Sequence, residues 1–302
     1  MDWGMMGEHT VGVVIPAYNE ERHITDVLET LPDVVDYAVV VDDGSTDQTY
    51  AMAQKASTSA KVTILQTEGV GVGAAIDLGH QHLLKTAEKP FVSAVMAGDG
   101  QMDPDDLIAV VLPIIEGKAD HVKGNRMSTL EDIEQMPKRR RRASKVLSWL
   151  TTLASGRVTK DPQCGYTATS SEVLEQWNWK QSWKGYGYPN FWLIRLSSKG
   201  YRVIDVPVKA VYGEETSGIK PVNFFLSVGL MMTIQHHKRA FSHLSRSPIM
   251  MFSFLFYLAG YASVGFAINQ PLFLLGLPFG WWIAHRLDRL AMRRLIGGRT
   301  KI

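Results

Sequence analysis

The stretch "FVSAVMAGDGQMDPDDLIAVVLPIIEG" (91–117) decides how this chain is read. A continuous apolar run stops at Ala-Gly-Asp-Gly-Gln, and Asp-Pro-Asp-Asp then opens an apolar stretch of helical length. That order predicts a buried strand, a glycine-flanked carboxylate at its end, and a helix. Pro104 suits the first helical position, and Asp103, Asp105 and Asp106 suit the positive end of the helix dipole. Asp99 belongs to none of these roles. Taken alone it is a turn former, so the rest of the chain has to decide its meaning.

The same grammar runs upstream. "VGVVIP" (11–16), "YAVVVDD" (37–43) and "KVTILQ" (61–66) are continuous β-branched runs, each followed by a helical pattern. Continuous apolar strands alternating with amphipathic helices predict an α/β fold with a mostly parallel sheet covered on both faces. Such sheets bind ligands beyond the carboxyl ends of their strands. Three of those ends carry polar chemistry: "PAYNE" (16–20), "DDGSTD" (42–47) and "GDGQ" (98–101). After about residue 124 the pattern changes to a basic helix ("PKRRRRASKVLSWLTTLASG"), a turn with a strand ("DPQCGYTATS"), a helix ("PNFWLIRLSSKG") and a last strand ("YRVIDVPV").

Hydropathy and charge set the C-terminal part apart. "VNFFLSVGLMMTIQHHKRAFSHL" (222–244) reads as an interfacial amphipathic helix. Residues 249–268 and 271–284 then contain no charged side chain. The first run is long enough to cross roughly 30 Å of hydrocarbon and the second is marginal. Together, with Trp281 and Trp282 near a boundary, they predict a membrane hairpin. Residues 236–302 hold nine Lys and Arg against Asp288 alone, on a chain whose net charge is only +2. The bases flank the apolar pair and avoid its link, so both flanks face the cytoplasm and contact membrane lipids. No signal peptide is expected from "MDWGMMGEHT", and Cys164, the single cysteine, excludes an intrachain disulfide. Gly260 and Gly265 are candidate contacts between protomers of a homo-oligomer.

The strand ends suggest nucleotide chemistry. Ser45, Thr46 and Asp47 suit an N-cap, but two consecutive acids at one strand end need more, and a carboxylate there can accept from a base or ribose. Gly69, Gly71 and Gly73 follow the third strand, not the first, so a dinucleotide fingerprint fails on position. They line a nucleotide or allow close backbone approach. Asp99 with the Gln101 amide oxygen offers the oxygen donors that a hard divalent cation takes alongside substrate phosphates. Gly98 and Gly100 leave room for a diphosphate.

In order, "VVIPAYNE", "VVVDDGSTD", "VMAGDGQ" and "GNR" resemble family 2 glycosyltransferases of the GT-A (Rossmann-like) fold, in particular the polyprenyl-phosphate, dolichyl-phosphate mannose synthase-like branch. The resemblance covers about residues 11–220. It implies a catalytic domain at 1–220, a juxtamembrane helix at 221–247, and a multi-pass membrane anchor with a basic tail at 248–302. Pro16, Ala17, Tyr18 and Glu20 would line the nucleoside pocket with Asp43, Gly71 and Gly98. The family's Asp-x-Asp-x-Gln metal motif falls on Ala97, Asp99 and Gln101, so one carboxylate is missing from the site for Mg²⁺ or Mn²⁺. Arg126 would meet phosphate, and Asp161 begins a turn near the reaction centre in which Cys164 replaces a serine. Arg140 and Ser144 would hold the acceptor phosphate with Lys220, although the arginine expected before Lys220 is absent.

The implied reaction is an inverting transfer of one sugar from a UDP- or GDP-linked donor to a polyprenyl phosphate at the cytoplasmic face of a cell or ER-type membrane. A lipid phosphate is already anionic and needs no general base, only cationic positioning and stabilisation of the leaving diphosphate. The alternatives are a family 2 enzyme acting on a lipid or glycan hydroxyl, and a non-catalytic nucleotide-sugar-binding regulator. A nucleic-acid role for "KRRRR" fits badly beside a membrane hairpin.

Overall fold

The computed structural model describes residues 9–128, 136, 138–209, 211, 221–268 and 270–297. The first half alternates as expected through β1 (Thr10–Ala17), α1 (Ile24–Glu29), β2 (Tyr37–Asp42), α2 (Thr49–Lys55), β3 (Lys61–Gln66), α3 (Val72–Thr86), β4 (Phe91–Val95) and α4 (Leu107–Ile115), and a strand the sequence reading did not name follows, β5 (His121–Asn125). Asp103 caps a 3-10 turn at Pro104–Asp106 by accepting from the Asp105 N–H at 3.0 Å, and α4 starts one residue later. Then come α5 (Lys138–Ser155), β6 (Thr167–Ser170), α6 (Ser171–Glu175), α7 (Tyr188–Lys199) and β7 (Val203–Pro207).

Seven strands form one sheet in the order β3-β2-β1-β4-β6-β5-β7. All pairings are parallel except those of β6, which lies antiparallel between β4 and β5. The order reverses at β1, whose neighbours are β2 and β4, and a crevice opens beyond such a reversal. Alternate residues of the central strands enter two cores. Val13, Ile15, Val40 and Ala94 pack with Ile24, Leu28, Leu107 and Val111 on one face. Val14, Val39 and Val95 pack with Ile76, Leu83, Trp192 and Leu196 on the other. The expected fold is therefore present.

Helix α8 (Pro221–Ser242) belongs to both worlds. It buries Val228, Met231 and Met232 in the second core and exposes Leu226, Leu230, Ile234 and Phe241. An exposed apolar face on a helix with a polar shoulder suits a lipid interface. After it, α9 (Pro248–Phe266) and α10 (Gly276–Gly297) run back to back as a hairpin. The 19 residues of α9 rise about 28 Å. Of its apolar window only 22% is buried inside the molecule, whereas a core helix would be mostly covered. Among the described residues α9 is the one helix long and apolar enough to cross a membrane. The second arm is charge-free only as far as Ala284, because α10 goes on through Arg286, Asp288 and Arg289.

The hairpin closes on glycine. A Cβ on Gly280 would stand 2.8 Å from the Phe256 carbonyl oxygen and 2.9 Å from the Gly260 Cα, so the backbones touch where a side chain would hold them apart. Gly260 is thus used inside the chain, while a Cβ on Gly265 would meet nothing within 4 Å.

One ion pair ties this hairpin to the sheet domain. Arg239 of α8 and Asp288 of α10 are both fully buried and joined by two hydrogen bonds, 2.9 Å from Nη1 and 2.5 Å from Nη2. Arg239 Nε also donates at 2.7 Å to the Ala154 carbonyl in the last turn of α5, where the helix dipole favours a cation. Removing one partner strands the other charge and costs about 3–5 kcal/mol, whereas replacing both by apolar groups is far milder. Thermal unfolding in neutral detergent should therefore show Asp288→Leu and Arg239→Met each strongly destabilised, with the double variant closer to wild type than either.

Candidate active site

The site is built on the carboxyl ends of β1, β4 and β5. The last two carbonyls of β1 hold the loops on either side of it: Pro16 accepts from the Gly98 N–H at 3.0 Å, and Ala17 from the Asp43 N–H at 2.8 Å. Beyond them the loops after β1 and β2 are interlocked. Asn19 N–H donates to Ser45 Oγ (2.9 Å), Thr46 N–H to Asn19 Oδ1 (2.8 Å), Glu20 N–H to Thr49 Oγ1 (2.7 Å) and Gln48 N–H to Glu21 Oε2 (3.0 Å). Ser45 and Thr46 thus engage the neighbouring loop, while Asp47 Oδ1 accepts from the N–H of Thr49, the first residue of α2, at 3.0 Å. Tyr18 is left 58% exposed at the rim, free of the core and open to a ligand.

The paired acids after β2 are buried and turned apart. Asp42 accepts from the Ser45 N–H at 3.0 Å. Asp43 accepts three hydrogen bonds, from Thr67 Oγ1 (2.5 Å) and from the N–H groups of Val70 (2.7 Å) and Gly71 (2.9 Å). Its carboxylate therefore shapes the glycine loop from below. Gly71 has φ +94°, and a Cβ there would come 2.8 Å from the Lys184 carbonyl oxygen; at Gly73 it would come 2.3 Å from that of Trp183. Close backbone approach is what these glycines provide.

The loop after β4 lies against the end of β1. A Cβ on Gly98 would be 3.1 Å from Ala17 Cβ, and Asp99 Oδ1 accepts from the Gln101 N–H at 3.0 Å. The Asp99 carboxylate and Gln101 amide lie one turn apart and offer oxygen donors only, which fits Mg²⁺ or Mn²⁺. No group of three or more His, Cys, Asp or Glu suited to a metal exists among the described residues, so substrate oxygens would have to complete the coordination. His23, which sequence reading passed over as part of a helix, faces this loop 3.9 Å from where a Gly100 Cβ would sit.

Beyond β5 the site gains its cation. Asp161 is fully buried and receives Arg126 through Nε (2.9 Å), Nη2 (3.0 Å) and the backbone N–H (3.1 Å). Burial alone would push this carboxyl up, but the Arg126 charge and hydrogen bonds outweigh it and hold Asp161 below the usual carboxylate range. Lys123, buried inside β5, donates to the carbonyls of Asp161 (2.5 Å) and Gly124 (2.8 Å). Sequence reading missed Lys123, although a lysine inside "HVKGN" was the available signal. Burial pushes the Cys164 thiol up, so it stays protonated and is no nucleophile. The 161–166 turn reaches the β4 loop, since a Cβ on Gly165 would lie 3.3 Å from Met102 Cε and Tyr166 donates to the Asp103 carbonyl at 3.2 Å. Ser144 is buried on α5. The Arg140 side chain and Lys220 lie outside the described residues.

Under the middle of β4 and the amino end of β5 runs a seam that sequence reading also missed. His80 Nδ1 meets Ser93 Oγ at 2.7 Å and His121 Nδ1 meets Thr169 Oγ1 at 2.9 Å, with Trp192 beside both rings. Burial pushes both imidazoles down to about 3, helped at His121 by the Lys123 charge. In the unfolded chain each titrates near 6.5. The stability contributed by the neutral rings is complete above that value and is lost as pH falls towards 3. Unfolding free energies measured from pH 7 to pH 4 should fall steadily, and His121→Gln should flatten the slope.

Comparison with known proteins agrees with this geometry. The sequence model of glycosyl transferase family 2 matches residues 12–178, which run from β1 past β6 and include every loop just described. The UDP-N-acetylglucosamine–dolichyl-phosphate N-acetylglucosaminyltransferase of Methanococcus voltae is 28% identical over 224 residues, 69% of this chain and 88% of that relative. The polyprenol monophosphomannose synthase of Mycolicibacterium smegmatis is 29% identical over 204 residues, 65% and 75% of the two chains. Among solved structures, glucosyl-3-phosphoglycerate synthase from Mycobacterium tuberculosis, in complex with Mn²⁺, UDP and phosphoglyceric acid, is similar in fold with a TM-score of 0.54. It is 20% identical and the match covers 78% of this chain and 80% of that one. On the strength of a pattern that spans the strands and the loops of its site, this chain belongs to glycosyl transferase family 2 and is a glycosyltransferase.

Proposed function

We propose that this enzyme transfers one sugar, with inversion, from a UDP- or GDP-linked donor to a polyprenyl phosphate at the cytoplasmic face of a membrane. The observation that carries the reading is the pairing of two parts in one chain. A crevice with oxygen donors on one wall and the Arg126–Asp161 pair on the other is carried by the same chain as a helix long and apolar enough to span a bilayer. The two relatives named for dolichyl or polyprenol phosphate products support it. The excess of basic residues around the hairpin supports the cytoplasmic side.

A phosphate oxygen of the acceptor attacks the anomeric carbon from the side opposite the leaving group. A new C–O bond forms there as the bond to the nucleoside diphosphate breaks, and the diphosphate leaves with the electron pair. The nucleophile is already an anion, so no proton has to be removed. Asp161 fixes the plane of Arg126, and Arg126 neutralises phosphate charge in the crevice; Arg140, Ser144 and Lys220 position the acceptor. Tyr18, Pro16, Ala17, Glu20 and Gly98 border the nucleoside, with Asp43 holding the Gly71 loop that closes over it. Asp99 and Gln101 would hold Mg²⁺ or Mn²⁺, which when bound offsets the charge of the leaving diphosphate. His23 beside the Gly100 loop favours a second reading, a hydroxyl acceptor with His23 as base.

Detergent-solubilised enzyme, a short polyprenyl phosphate, Mg²⁺ and labelled UDP- and GDP-sugars should give lipid-linked label from one donor, lost by about 100-fold or more in Asp99→Ala. Label only on hydroxyl acceptors, with His23→Gln inactive, would establish the second reading. Because Ala97 removes one carboxylate, Mn²⁺ titrated calorimetrically should bind weakly alone and much more tightly with UDP or GDP present.

A further inference from the structure

Away from the active site, a cavity of about 440 Å³ lies between the C-terminal halves of α7 and α8 and the turn that leads into α9. It is at the opposite edge of the sheet from Asp99, since α7 ends just before the first residue of β7, whereas the catalytic loops follow the last residues of their strands. Arg195, Lys199, Lys238 and Arg246 line it together with the buried Arg239, and no carboxylate is among its described lining residues. Arg239 is neutralised by Asp288. The Lys238 and Arg246 side chains have no ion-pair partner among the described residues. Arg195, Lys238 and Arg246 are like charges around one concavity, which repel one another and are relieved by an anion.

The place of the cavity in the chain says which anion. Arg246 stands two residues before Pro248, where the apolar α9 begins, and Lys238 shares α8 with the exposed Leu230, Ile234 and Phe241. Cations at the point where a chain enters hydrocarbon are at headgroup depth, and basic pockets between helices at that depth suit lipid phosphates. We propose that this cavity binds the phosphate headgroup of an anionic membrane lipid, with the acyl chains lying along the apolar surface of α8 and α9. The site is distinct from the sugar-transfer crevice and stands whichever acceptor that crevice uses.

Native mass spectrometry of the full chain in neutral detergent tests this with phosphatidylglycerol and phosphatidylcholine at equal concentration. Phosphatidylglycerol should be retained about tenfold or more in preference. Lys238→Gln/Arg246→Gln should bring retention down to the phosphatidylcholine level, and Lys238→Arg/Arg246→Lys should keep it. Both side chains are exposed, so the unfolding midpoint in lipid-free detergent should not move. Equal retention of the two lipids, or a preference unaffected by the Gln substitutions, overturns the site. Displacement of the lipid by millimolar inorganic phosphate overturns the lipid source in favour of a soluble anion.

Discussion

The carboxyl end of β1 is the constraint on which the site depends. A central parallel strand must satisfy its last carbonyls, and at this end water cannot do it, because helices cover both faces of the sheet. Pro16 and Ala17 find their donors in the loops after β4 and β2. The Asp99 loop and the paired acids are thereby placed on either side of one strand. Further out, Asn19, Glu20 and Glu21 continue the same exchange with Ser45, Thr46, Gln48 and Thr49, so two loops far apart in the chain behave as one wall.

Buried charge organises the other half of the molecule, and the two main pairs do different work. Arg126 and Asp161 meet at the mouth of the crevice, where the arginine keeps partial access to solvent and its partner has none. That asymmetry leaves the guanidinium partly accessible and its carboxylate sheltered. Arg239 and Asp288 are both sealed from solvent. Their partners are backbone carbonyls of α5, the His236 ring and each other, so they serve geometry alone. Lys123 resembles the second kind, fully inside β5 with two carbonyls for company.

The first four strands were legible because each is a nearly continuous apolar run and each helix between them repeats at its own period, whereas β5, with His121, Lys123 and Asn125 in five residues, carried no such signal. Helix ends were less legible: α1 begins at Ile24, four residues after the apparent pattern opens at Glu20, because residues 19–21 are held by the neighbouring loop. β6 is only four residues long and its antiparallel insertion depends on partners distant in sequence. Asp99 could be singled out because a carboxylate at a strand end is conspicuous, and Asp161 only through the family resemblance of its turn. What their side chains touch could not, since Arg126 is 35 residues from Asp161 and Asp43 meets Gly71 across 28. Asp288 was counted as one acid in a basic tail, and only the fold gives it Arg239. The histidine seam carried no local pattern at all.

The sealed Arg239–Asp288 pair also bears on how such a chain can change over generations. A catalytic domain and a membrane anchor joined by a simple linker can be exchanged between relatives, each with its own history. Here the arginine lies on the helix that completes the domain core, the carboxylate lies on the far arm of the hairpin, and the end of α5 is the third party. Loss of either charge is penalised until the other is also lost. Hairpin and sheet domain are therefore bound to a common lineage, and a foreign hairpin grafted after residue 247 would succeed only if it brought an acid to the same depth.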